Sequence, residues 1–205
     1  MCADAPKSYS LTQLVARAFS RARVPILTVG LTYAASVTVG IVMMHAGNSF
    51  ALNTRDQIVS DAQSGPIITA LDQNNRLLAD LLDFLGNLLG AVSSTVAGLG
   101  VVFTYPIVAY RSWIGGIVSV DGAHLSRLAG EAAFYLITLA LQLIPYSITG
   151  GAGVNMGLAY LKPKSCYRGN KWLGIPAEAI RDVLRIYLIA APFFLLASLW
   201  EFFAR

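Results

Sequence analysis

Residues 24–45 read VPILTVGLTYAASVTVGIVMMH, with Arg17, Arg21 and Arg23 just before them. The stretch holds no Asp, Glu, Lys or Arg. A helix needs about 20 apolar residues to cross the hydrocarbon core of a bilayer. A secretory h-region is shorter, about 7–15 residues, and leads to a small-x-small cleavage pattern. This stretch is longer and lacks that pattern, so it reads as a retained membrane helix entered from a basic side.

The totals agree with a lipid environment. The chain has 205 residues, 56% hydrophobic and 13% charged. Soluble domains carry roughly 25% charged residues, so water alone does not suit this surface. The expected fold is all-α: a polytopic membrane helix bundle with about five membrane segments, one of them short or re-entrant. Residues 1–23 form a cytoplasmic amphipathic lead, with Leu11, Leu14, Val15 and Phe19 on one stripe. That stripe suits either a helix lying at the membrane surface or a frayed tail. Residues 24–205 form a single transmembrane domain.

Further segments extend outward from the first. Residues 46–75 carry Arg55 against Asp56, Asp61 and Asp72 and read as an outer loop. From Arg76 to Asp83 the pattern RLLADLLD is an amphipathic approach helix, with Asp80 and Asp83 on its solvated side. It runs into segment two, about 84–110, ending near Pro106 and Arg111. Trp113 to Val120 reads as a Gly-broken interfacial or re-entrant turn, and Arg111 and Arg127 place that loop in the cytoplasm. Segment three is about 129–148. Residues 149–161 are either a short fourth helix packed in the bundle or a re-entrant hairpin, because Gly150, Gly151, Gly153 and Gly157 make a poor isolated helix. The loop 162–185 is rich in Lys and Arg and reads as cytoplasmic. Segment five is about 180–203. Five crossings put the N-terminus inside.

The residues with something to contribute inside lipid are few. Asn87, Gln142 and Asn155 must each find a partner within a bundle, and Glu131 lies near the start of segment three. These four form the candidate intramembrane polar site. Asn155 is the foremost, since broken helices among glycines line binding sites in transporters. Gly86, Gly90, Gly98, Gly150, Gly153 and Gly157 are the candidate packing surface, because small residues let helix backbones approach. Two Cys and two His at these spacings supply neither a metal set nor a catalytic one, so no cofactor and no enzyme activity are expected. No soluble basic module with stacking aromatics exists, which excludes a nucleic-acid partner. The lipid bilayer, other membrane proteins or a second copy are the expected partners.

The run NNRLLADLLDFLGNLLGAVSSTVAGLGVVF (74–103), followed by YRSWIGGIVS (110–119), resembles the stage II sporulation protein M family. Pro145-Tyr146-Ser147-Ile148-Thr149-Gly150 stands where that family has Pro-His-Gly-x-x-Glu, and of that motif only Pro145 is kept. Gly153 to Gly157 is similar to the family's small-residue helix, and Leu199-Trp200-Glu201-Phe202 to its terminal Glu element. The resemblance spans roughly 75–205. It implies a bacterial inner-membrane protein acting as a scaffold or complex subunit, as the namesake does with peptidoglycan-remodelling partners. The alternative from the residues alone is a small transporter or channel with its polar site around Asn155.

Overall fold

The computed structural model describes residues 9–120, 129–162, 167 and 169–203; the side chains of 129–133, 135 and 136 lie outside that description. Seven helices and one small hairpin make up the described chain. They are α1 Leu11–His45, α2 Ser49–Gln63, α3 Pro66–Asp72, α4 Arg76–Ala97, α5 Thr104–Ser119, α6 Ala129–Leu161, β1 Lys171–Trp172, β2 Ile175–Pro176 and α7 Ala177–Phe203. Four helical stretches are long and apolar enough to cross a membrane: 11–45, 76–100, 137–161 and 177–203. The architecture is an all-α bundle of a multi-pass membrane protein.

The first helix starts where its caps dictate. Ser10 Oγ accepts from the Gln13 amide, and the Gln13 side chain accepts in return from the Ser10 amide, a capping box. From there α1 runs 35 residues without interruption, about 52 Å at 1.5 Å per residue. The lead is therefore neither frayed from Leu11 onward nor laid on the membrane. It continues the crossing helix, and its buried Ala18 and Ala22 pack in one cluster with Ile186, Ala190 and Phe194 of α7. Residues 46–75 are not loop. Asn48 and Asn75 cap α2 and α4 through their side-chain oxygens, and Pro66 opens α3.

The segment expected over 84–110 is two helices. The approach from Arg76 runs unbroken to Ala97, in keeping with its amphipathic pattern. The chain then reverses through a 3-10 turn over Gly98–Gly100 and Val101, whose φ is +52°. Residue contacts fix the direction of α5. The Thr28 hydroxyl meets that of Tyr105 at 2.9 Å, a methyl on Gly116 would overlap the Val37 backbone, and Met44 shares a cluster with Ile117 and Val120. So α5 runs parallel to α1 over most of its apolar length. Trp113 to Ser119 belongs to this helix rather than to a surface turn, and Val120 caps its end. Val120 lies at the far end of the bundle, beside the end of α1, rather than at the basic end. Arg127 lies outside the described residues.

A second correction concerns 129–161. These residues form one helix of 33 residues, not a segment 129–148 followed by a separate piece 149–161. Its glycines do not break it because neighbours fill the space on either side. A side chain on Gly151 would overlap the backbone of Ile26 in α1, and one on Gly153 the backbone of Thr95 in α4. Packing overrides the poor helix propensity of glycine. The fifth helix at membrane depth is the 16-residue α5, about 24 Å long.

Paired residues set the order of the bundle. Gly30 faces Ser147 and Ile26 faces Gly151, so α6 is antiparallel to α1. Asp80 lies by Ser198 and Thr95 by Tyr187, so α4 is antiparallel to α7. One end carries Arg17, Arg21, Arg23, the α4–α5 turn and the hairpin. The other carries α2, α3 and the end of α7.

The Lys171-to-Pro176 hairpin, inside a stretch that reads as plain basic loop, pairs Lys171 with Pro176 and Trp172 with Ile175. Leu173 and Gly174 both take positive φ, 50° and 82°, the backbone a two-residue hairpin turn requires.

Candidate functional site

Two polar clusters lie within the bundle, at different depths. The first sits at the basic end and joins α1, α6 and α7. Asn155 Nδ2 donates to the Tyr167 hydroxyl at 2.8 Å, and that hydroxyl donates to Asp182 Oδ2 at 3.1 Å. Asp182 Oδ1 accepts from Arg21 at 2.5 Å and from Arg185 at 2.9 Å. Glu178 pairs with Arg185 at 2.6 Å and Arg21 at 3.4 Å. Asp182 is 1% exposed, and burying a carboxylate this deeply is costly unless it is paired and hydrogen-bonded. Burial, and next the negative charge of Asp182, raise the Tyr167 phenol above its ordinary value, so it remains a donor.

Asn155 is thus a member of a structural network of hydrogen bonds and ion pairs. It does not share a site with Gln142, which lies thirteen residues earlier on the same helix, about 20 Å away. Glu131 lies in the first turn of α6 and its side chain is outside the described ones; eleven residues, about 16 Å of helix, separate it from Gln142.

The second cluster lies midway along the apolar length of α1. Asn87 Nδ2 donates to Asp83 Oδ2 at 2.9 Å, and Asn87 Oδ1 accepts from the Tyr146 hydroxyl at 2.7 Å. Tyr33 stacks on Tyr146 with ring centroids 6.1 Å apart, and Phe194 meets the same ring edge-on at 4.9 Å. Arg111 lies beside the Tyr146 hydroxyl. A methyl on Gly90 would overlap its guanidinium, so the bare glycine makes room for that group on α4. Between these groups is a cavity of about 230 Å³, lined by Tyr33, Asn87, Arg111, Gln142 and Tyr146 among others.

Two of the four expected polar residues, Asn87 and Gln142, therefore share a site. Sequence reasoning missed their company. Arg111 has the appearance of a loop flank because Pro106 reads as the end of a helix rather than the first turn of the next. Gly98-x-Gly100 before Pro106 is the signal that marks the reversal. Asp80, expected to be solvated, is 4% exposed and lies under Ser198, which donates to its carbonyl at 2.8 Å.

Among the packing glycines, Gly98, Gly153 and Gly157 interlock backbone to backbone, and a methyl on Gly150 would press on the Val29 side chain. Gly90 makes room for Arg111. Gly86 faces open space and packs against nothing, which removes it from the candidate packing surface. Gly40 and Gly116, at the α1–α5 contact, and Gly151, at the α1–α6 contact, belong in that set. Compared with models of known families, with curated proteins and with solved structures, the chain matches none.

Proposed function

We propose that this chain is a membrane subunit of the stage II sporulation protein M type, seated in a bacterial inner membrane with its basic end in the cytoplasm. It acts through contacts with other membrane proteins rather than by catalysis. One observation supports this above others: glycine backbones interlock α1 with α5 and α4 with α6. The Arg21–Asp182–Arg185 network ties α1 to α7 at the same time. Such a bundle is a fixed frame. Its outward helix faces carry Leu31, Leu77, Leu89, Leu184 and Leu188, surfaces fit for lipid or for neighbouring helices. Extraction into a mild detergent or native nanodiscs, followed by mass measurement, tests the reading. Stable association with another membrane protein or a second copy is expected. A monodisperse monomer with no companion overturns it.

A second reading, a small transporter or channel, is favoured by the cavity beside Arg111, Asn87 and Gln142 rather than by Asn155. Charged groups at membrane depth mark solute pathways often enough to make this a competitor. Solute flux in reconstituted vesicles, abolished by Arg111→Gln, is its expected signature; no flux of any solute tested in tight vesicles counts against it.

A further inference from the structure

The mid-depth cavity holds more donors than the chain satisfies. Arg111 carries five N–H groups and no acceptor, and cannot be neutralised. Arg21, Arg181, Arg185 and Arg55 each face a carboxylate. Among the described residues no carboxylate is ion-paired with Arg111, and Asp83 is engaged by the Asn87 amide. The Tyr146 hydroxyl already donates to Asn87, so it offers Arg111 only a lone pair. Gln142 and Tyr33 also line the cavity, and neither has a side-chain hydrogen bond among the described residues.

Arg111 is exposed on the bundle, and at this depth it faces lipid rather than water, which makes the surplus expensive. Tyr33 lies nine residues after Val24 and twelve before His45, about 14 and 18 Å of helix. Arginine near a bilayer centre costs about 2.5–3.5 kcal/mol on insertion scales. An anion is the species that offsets such a charge. The size is restrictive too: about 230 Å³ falls below the roughly 300–1,000 Å³ of pockets for drug-sized ligands. Val108 and Ile114 contribute apolar wall.

We propose that this cavity is a binding site for a small monocarboxylate. Its carboxylate lies on the Arg111 guanidinium and accepts from Gln142 and Tyr33, while its short apolar tail rests on Val108 and Ile114. Asp83 stands behind Asn87 and outside the cavity lining, so Arg111 is the charge a ligand meets there, and the planar fork of arginine matches a carboxylate in two parallel bonds. The site is independent of the subunit reading, since an isolated bundle would bind the acid whether or not it has a partner.

The test uses the full chain in nanodiscs, titrated with sodium butyrate and sodium benzoate and, in parallel, with sodium chloride and phosphate. Binding is read by calorimetry and by the shift of the thermal unfolding midpoint. Saturable binding of a monocarboxylate is expected, at least about tenfold weaker in Arg111→Gln and severalfold weaker in both Arg111→Lys and Gln142→Leu. The exposed Arg181→Gln should bind like the parent chain. If Arg111→Gln fails to fold, the other two variants carry the test. Absence of saturable binding, equal binding of phosphate, or variants that bind as well as the parent would overturn the proposal.

Discussion

Tyr167 is a single hydroxyl on which three elements depend. It accepts from Asn155 on α6 and donates to Asp182 on α7, and the guanidinium of Arg21 on α1 stands 5.7 Å from its ring centre. Removing only the oxygen leaves the ring in place and strands two buried polar groups. Leaving a buried partner unsatisfied costs about 1–3 kcal/mol. Tyr167→Phe should therefore destabilise the bundle by about that much in reversible unfolding. Asn155→Leu acts on the same bond, so the double variant should lose clearly less than the sum of the two single losses. Strict additivity would show that Asn155 and Tyr167 are not coupled. At this scale the sequence is only partly legible. The polar character of Asn155, Gln142 and Asn87 is plain in an apolar context, and so is their need for partners. Which partners they take depends on chain direction, and Tyr167 in a basic loop carries no mark of burial.

At the scale of elements, the backbone contacts between helices make unequal predictions for glycines that look alike. Gly153 lies against the Thr95 backbone and beneath Gly98, and backbone cannot step aside as a side chain can. Gly153→Val should destabilise by about 1–3 kcal/mol or more, the range for overpacking a filled core. Gly86 faces open space, and Gly86→Ala should be neutral or stabilise by up to about 1 kcal/mol through helix propensity. Both are measurable as shifts in unfolding midpoint under one detergent condition; equal losses in the two variants would refute the packing assignment. Helix existence is legible from apolar runs, and the start of α4 at Arg76 from its amphipathic pattern. The α4–α5 reversal is not, because an apolar run on both sides of Gly98–Phe103 hides a turn whose signal is two glycines and a later proline. The unbroken α6 is not either, because its glycines report what packs against them, and that information lies in α1 and α4.

The same reversal can be tested directly. Val102 is 71% exposed in the α4–α5 turn, at the end of the bundle that carries the Lys171-to-Pro176 hairpin. With Cys2 and Cys166 replaced by serine, Val102→Cys and Lys171→Cys should react with an impermeant thiol reagent from the same side of the membrane. Reaction from opposite sides would mean that α4 and α5 do not fold back as a pair.

The whole molecule has a polarity of charge. Arg17, Arg21, Arg23, Lys171, Arg181 and Arg185 gather at one end, tempered by Glu178 and Asp182. The other end holds Arg55 and Arg76 against Asp56, Asp61 and Asp72. Lys and Arg next to membrane segments set orientation because they resist translocation, whereas acidic residues contribute little. The basic end should therefore lie in the cytoplasm. Five helices at membrane depth then place the end of α7 on the opposite face from the start of α1. In intact cells, Lys171→Cys should be shielded from an impermeant reagent and become reactive once the membrane is opened. Asp61→Cys should react at once. Both positions reactive in intact cells would mean an even number of crossings between them. The direction of α5 beside α1, and with it the membrane depth assigned to Arg111, would then have to be abandoned.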